Sequence, residues 1–389
     1  MTKFHIMDIS AEAVSKTEAD PIVPSTPKSN TELPYIIYRR TPGAGFWSNF
    51  SCVLQGLDDA DLRGLPPVVD MERHTTFYNE KEPIHGTRNA WEYYFEQPSG
   101  IGVAQAAVKG ATDNGGRSPG RFVGIQATIP PPETLKRGRF LVGRYIRVRE
   151  DVNALADAIL PRGVNPKVLG VHIRGTDLRQ GTYPGHHIPD VREAYLERAI
   201  DLDNQHNFTS IFLATDEIEN IELFRTHFGE RLLTTDAHRT SQKTVTAHNM
   251  AWLLDVPRRH HKYLLGREVL IDVLLLARCG HFICGVSNVA SATAYFSADS
   301  QCVHPIPSLW ITPRRDGRSQ GQNNMKACRA PDGSSTAEAR ERELYRLLEN
   351  AENTGYAIRR DATKMRRILS AIGVLAVILG IFVGIYFRR

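Results

Sequence analysis

The sharpest chemical feature is the run His172-Ile173-Arg174-Gly175-Thr176-Asp177, which closes an apolar stretch beginning at Val168. Polar side chains at the end of a buried strand are costly unless they meet partners or a ligand. His172 and Arg174 are two residues apart, so on a strand they face the same side. A guanidinium there can grip a phosphate through two parallel N–H bonds. It could also stabilise the charge that grows on a departing diphosphate, without a metal. The alternative is a structural Arg–Asp pair. Leu213-Ala214-Thr215-Asp216-Glu217 is a second polar strand end. Asp272 is a lone carboxylate inside Leu270-Ile271-Asp272-Val273-Leu274-Leu275-Leu276. Burial disfavours its charge unless donors meet it, and two adjacent N–H groups, as on guanine's Watson–Crick edge, would suit it. A helix cap, or a salt bridge to Arg267 or Arg278, would serve as well. In Cys284-Gly285-Val286-Ser287-Asn288-Val289-Ala290-Ser291 a strand turns into a helix through small polar residues. Such a helix start offers N–H groups to a phosphate, or is simply capped by its serine.

The elements that must carry these residues alternate. Tyr35–Tyr38 is a short strand, Thr41–Gly45 a Gly-rich break, Phe46–Leu57 a helix and Pro67–Asp70 a strand, which together make a βαβ unit. Further on, strands are predicted at Val168–Arg174, Ile211–Ala214, Arg231–Thr234 and His281–Cys284. Helices are predicted at Val191–Ile200, Ile218–Phe228, Gly266–Arg278 and from Ser291 to Phe296. Strands alternating with helices imply an α/β fold with parallel sheets covered on both faces. In such folds ligands sit at the carboxyl ends of strands, near topological switch points.

The 389 residues suit about two domains plus tails. The net charge of +5 is a property of one end: Arg359–Arg389 holds seven Lys or Arg and one Asp, and the remainder sums to −1. The body therefore lacks the charge of a nucleic-acid binder. Five cysteines without metal-ligand spacing make no disulfide framework and fit a reducing compartment. Residues 1–31 are polar and Pro-containing and read as a flexible leader, without the apolar core of a signal peptide. Residues 313–367 read as a linker and a charged amphipathic helix. Ile368–Phe387 is an uncharged run of 20 residues bracketed by Lys364, Arg366, Arg367, Arg388 and Arg389, long enough to cross about 30 Å of hydrocarbon. The expectation is a single-pass C-terminal membrane anchor with the body facing the cytoplasm.

The ordered set of strand-end motifs, followed by the helix Asp and the Ser-Asn turn, resembles the α1,6-fucosyltransferase and rhizobial NodZ group, and more distantly the protein O-fucosyltransferases. Gly43-Ala44-Gly45-Phe46-Trp47-Ser48-Asn49-Phe50, Leu65–Asp70 and Trp91-Glu92-Tyr93-Tyr94-Phe95-Glu96-Gln97-Pro98 resemble that group's Gly-rich turn, following strand and Trp-Glu segment. The resemblance runs from about Tyr35 to Phe296. It implies a GT-B-like enzyme of two Rossmann-like domains facing a cleft, an acceptor-side domain over residues 32–158 and a nucleotide-sugar-binding domain over 159–312. It implies GDP-fucose as donor, inversion at the anomeric carbon, a glycan or lipid-linked acceptor and no metal. Arg174 would hold the β-phosphate, His172 and Asp272 the guanine, Ser287 with Asn288 a phosphate, and Gly43 and Gly45 the diphosphate from the other domain. Asp216 joins the donor-binding set.

The chain departs from the mammalian members at Gly175, where they carry a second Arg, and at Leu178, where they carry Lys; Arg179 follows. Thr182 falls near their acceptor-activating Glu. Asp177, His187 and Glu193 are the candidates for the base that an attacking hydroxyl needs, and Asp177 is the first of them, acting as a catalytic residue beside Arg174. Three other features have a structural as well as a functional alternative: Asp201-Leu202-Asp203, a metal motif or an ordinary surface pair; the basic loop Arg258–Lys262, near a donor or membrane or simply solvated; and His186-His187, a metal pair or surface side chains. The sequons at Asn49 and Asn207 would matter only in a lumenal protein. Two rivals remain: the same fold using another nucleotide sugar, and an inactive, membrane-tethered glycan- or nucleotide-binding protein.

Overall fold

A computed structural model of the chain describes residues 33–40, 45–116, 120–122, 129–175, 187–188, 192–241, 256–306 and 309–310. Gly43, Asp177, the 1–31 leader, the 313–367 segment and the Ile368–Phe387 run lie outside the described residues. Among the described residues, no helix is long and apolar enough to cross a membrane.

The first sheet is built from β1 (Tyr35–Ile37), β2 (Pro67–Val69) and β3 (Thr112–Asp113), in the order β2-β1-β3, all parallel. Helix α1 (Phe46–Arg63) crosses from β1 to β2. It ends where Gly64 takes the left-handed conformation and donates its N–H to the carbonyls of Ala60 and Asp61, which is how a glycine stops a helix. The Trp91–Pro98 motif finishes this sheet. The Gln97 amide accepts from Val69 N at 2.9 Å and donates to Val69 O at 2.9 Å, so a side chain supplies the partner that the edge strand β2 lacks. Glu92 holds that amide in place, accepting from Gln97 Nε2 at 2.8 Å, Asn89 Nδ2 at 3.2 Å and Thr87 Oγ1 at 2.7 Å.

Helices α2 (Val103–Val108), α3 (Pro132–Tyr145) and α4 (Glu150–Asp157) lead to the second sheet. It comprises β4 (Asn165–Ile173), β6 (Ser210–Thr215), β7 (Leu232–Leu233), β8 (Cys279–Cys284) and β9 (Cys302–Pro305). Its order is β7-β6-β4-β8-β9, and all its pairings are parallel. Helices α5 (Arg192–His206), α6 (Ile218–Phe228), α7 (His261–Arg278) and α8 (Asn288–Phe296) cover it. The small strands β5 (His187–Ile188) and β10 (Leu309–Trp310) pair antiparallel. The parallel α/β architecture expected from the alternation is present. Several boundaries move: α1 runs on to Arg63, α5 runs to His206, so Asp201 and Asp203 are helical, α7 begins five residues before Gly266, and α8 begins at Asn288.

The two sheets share one hydrophobic cluster. Phe46, Trp47, Phe50, Trp91, Tyr94 and Phe95 from the first half pack with Leu270, Leu274, Ala292 and Tyr295 from the second. Polar bonds stitch the same seam: Trp47 Nε1 donates to Val269 O at 3.3 Å, Tyr94 OH to Tyr263 O at 3.0 Å and Tyr263 N to Glu80 Oε1 at 2.9 Å. Gly266 is required there, because a Cβ would collide with the Tyr94 hydroxyl. Cys52, Cys279 and Cys284 are buried and free.

At the outer flank of the second sheet, His281 Nδ1 and His304 Nε2 share a hydrogen bond of 3.0 Å, with the rings stacked at 4°. The His206 ring lies against His281, centroids 4.2 Å apart. Burial drives the His281 pKa down to about 4 and that of His304 to about 3, with neighbouring Arg198 adding to the latter. An imidazole whose pKa falls on folding binds its proton more readily in the unfolded chain, so acid favours unfolding. This stabilisation is complete above the unfolded value of about 6.5 and declines as pH falls towards 4 and 3. Urea midpoints should therefore drop between pH 7 and pH 5, and His304→Asn should flatten part of that slope; an unchanged slope in the variant would exclude this origin. At the seam, Gly266→Ala is expected to cost about 1–3 kcal/mol in the same measurement.

Candidate functional site

In the second sheet the strand order reverses at β4, since β6 lies on one side and the later β8 on the other. The crevice at the carboxyl ends of β4 and β8 is therefore the switch point, and the predicted residues gather around it. His172 is the penultimate residue of β4, and its Nδ1 lies 3.4 Å from Ser287 Oγ, beyond the end of β8. Burial, and then the Arg174 guanidinium, bring the His172 pKa down to about 3, so the ring is neutral at physiological pH. Ser287 is the N-cap of α8, and its Oγ accepts from Ala290 N at 3.0 Å. It thus fulfils the capping role while sharing the same oxygen with His172. Asn288, partly exposed, opens the helix.

Arg174 leaves β4 partly exposed, and its charge reaches across to the first half of the chain, where it acts on Tyr78. Tyr78 is buried on a turn after β2, held by Thr76 and Asn79: Tyr78 N donates to Thr76 Oγ1 at 3.2 Å, and Thr76 N to Asn79 Oδ1 at 2.7 Å. Its hydroxyl accepts from Phe46 N at 2.9 Å, at the first turn of α1. Burial lifts the phenol to about 12, so it stays protonated. Gly45, partly buried, is the N-cap of α1; it has no side chain to cap with, and its carbonyl accepts from Ser48 N and Asn49 N. Tyr78, a residue that no sequence motif marked, thus holds the start of α1 through the Phe46 N–H and feels the charge of Arg174.

Asp216 follows β6, and its Oδ1 accepts from Gly175 N at 3.0 Å. Its visible role is to fix the backbone just after Arg174. Glu217 beside it is fully buried and accepts from Asn220 Nδ2 at 3.2 Å, with Arg192 at 3.9 Å. A Cβ on Gly175 would collide with the Glu217 carboxyl. An arginine at 175 would therefore need the buried Glu217 carboxyl to move. Gly175→Arg is accordingly expected to lower the melting temperature without strengthening phosphate binding; a variant of native stability that binds pyrophosphate more tightly would contradict this packing.

Asp272 sits mid-way along α7, too far inside to cap it. Neither arginine weighed as its partner takes it: Arg278 pairs with Asp157 at 2.8 Å, and Arg267 lies over the Tyr263 ring at 5.5 Å. Among the described residues its one hydrogen-bond donor is Thr235 Oγ1, at 2.9 Å to Oδ1. Burial raises the Asp272 pKa to about 6 against the opposing pull of Arg239 and Thr235.

The remaining signals resolve structurally. Asp203 pairs with Arg231 through both oxygens, at 3.0 and 2.8 Å, so Asp201-Leu202-Asp203 does not present a metal-binding pair. Arg258 of the basic loop is bound by Glu268 at 2.5 Å. Asn49 is buried and accepts from Arg39 at 3.3 Å. Glu193 lies in the first turn of α5, and the backbone of His187 in β5. Among the described residues, no group of three or more His, Cys, Asp or Glu could hold a metal ion. A small cavity of about 20 Å³ lined by Phe46, Tyr78, Trp91 and Tyr94 carries no carboxylate, imidazole or guanidinium on its wall.

No family model and no curated protein matches the chain. Among solved structures it is similar to NodZ α-1,6-fucosyltransferase co-crystallised with GDP, at 17% identity over 68% of this chain and 92% of that one, with a TM-score of 0.41. It is likewise similar to fucosyltransferase NodZ from Bradyrhizobium, at 17% identity over 68% and 93%, TM-score 0.41. POFUT1 in complex with GDP-fucose follows at 10% identity over 71% and 74%, TM-score 0.30.

Proposed function

We propose that the chain is a GT-B-type glycosyltransferase that moves fucose from GDP-fucose to a hydroxyl of a glycan or lipid-linked acceptor, with inversion and without a metal. One observation carries this reading: His172, Arg174 and Ser287 meet at the switch point of the second sheet, and the charge of Arg174 reaches the Tyr78 turn that holds the start of α1. The sequence resemblance set out above supplies the nucleotide and the sugar.

In this scheme the ionised Asp272 accepts the N1–H and N2–H of guanine, while neutral His172 and the α8 start border the nucleotide. The acceptor oxygen attacks the anomeric carbon as the bond from that carbon to the β-phosphate oxygen breaks. The electron pair leaves with GDP, where Arg174 neutralises it. The acceptor's proton passes to a base, for which Asp177, three residues beyond Arg174, is the nominee. Gly43 and Gly45 face the diphosphate.

Thermal-shift titration should give stabilisation by GDP and GDP-fucose and little by UDP. An equal response to both nucleotides would favour a different donor. GDP release from GDP-fucose with candidate acceptors should fall about a hundredfold or more in Arg174→Ala and survive EDTA. Full turnover in that variant would remove the mechanism, and nucleotide binding without turnover would favour the inactive binding protein. Because base recognition needs the carboxylate, GDP affinity should be level above about pH 6 and fall below it as Asp272 takes up a proton.

A further inference from the structure

Between β7 and the start of α7, Thr235 and Arg239 form a chain of contacts that ends on Asp272. Arg239 NH2 donates to Thr235 Oγ1 at 3.2 Å, and Thr235 Oγ1 donates to Asp272 Oδ1 at 2.9 Å. Arg239 is itself anchored, NH1 donating to Ala237 O at 2.8 Å. Thr235 and Asp272 are both buried. A guanidinium can only donate. Arg239 therefore occupies a lone pair of the threonine hydroxyl and commits its single proton to Asp272. Thr235 thereby fixes Oδ1 of the carboxylate. We propose that Arg239 is a positioning residue for base recognition: through Thr235 it holds Asp272 ionised and in a fixed rotamer, ready to accept the two N–H groups of a guanine. This rests on the reading of the site as a guanine-nucleotide pocket.

The charges around Asp272 make Arg239 the decisive one. Glu268, one turn earlier on α7, is the other charged group acting on Asp272, and it opposes ionisation. Glu268 is already engaged by Arg258 at 2.5 Å and by His238 N at 3.1 Å, and the His238 ring lies against His261. His172, on β4, is neutral. Among the described residues, Arg239 is thus the one cation acting on Asp272, and no second cation would compensate for its loss.

The test is GDP affinity of the full chain between pH 5.5 and 8.5 by calorimetry, with inorganic pyrophosphate as a probe that lacks the base. Arg239→Met and Thr235→Val should each weaken GDP about tenfold at pH 7 and raise the pH midpoint of binding by about one unit. Pyrophosphate affinity and the unfolding midpoint should remain near those of the parent. Arg239→Lys should restore most of the affinity and the midpoint. A parent-like midpoint and GDP affinity in Arg239→Met would overturn the inference, as would an equal loss for pyrophosphate. If the unsubstituted protein binds pyrophosphate but shows no preference for GDP, the guanine reading beneath the inference fails instead.

Discussion

Helix α7 is part of two structures at once, and that constraint organises the rest. One flank backs the second sheet; the other meets the aromatic side chains that cover the first. Leu270, Leu274 and Leu275 are buried in a cluster that also contains Phe46, Trp91 and Tyr94, and Gly266 is small because the Tyr94 ring comes so close. The buried residues of this helix cannot be exchanged for bulkier ones without disturbing the packing between the sheets. A carboxylate retained in such a place is costly, and Asp272 is accommodated only because a threonine and an arginine are aimed at it from outside the helix.

The same economy governs the end of β4. From Val168 the strand is apolar until His172, and the backbone then needs a fixed turn to present Arg174. Asp216 provides it by taking the Gly175 N–H, and Glu217 fills the space that a side chain at 175 would occupy. The Ala-Thr-Asp-Glu strand end is in this respect a mould for the neighbouring one.

Much of this was legible in the residues themselves. The strands of the second sheet are short apolar runs that stop abruptly at polar groups, and each polar stop proved to be a carboxyl end. Other parts were hidden for identifiable reasons. Helix α7 starts at His261 because Tyr263 and its neighbours pack against the first half of the chain, a contact that local periodicity does not encode. Strand β9, with His304 and Pro305 in four residues, has little strand character of its own and forms because β8 offers it an edge. Tyr78 belongs to a turn made of side-chain-to-backbone bonds, and Thr235 and Arg239 belong to an irregular segment. Their importance comes from what they touch across the fold, which spacing along the chain cannot express.

The shared cluster also sets an order on synthesis. Trp47, Trp91 and Tyr94 leave the ribosome well before Tyr263, Gly266 and Leu270 are made. At ordinary elongation rates the first sheet waits on the order of ten to thirty seconds for the helix that covers it. Throughout that interval the aromatic side of the sheet lacks the helix that packs on it in the folded chain.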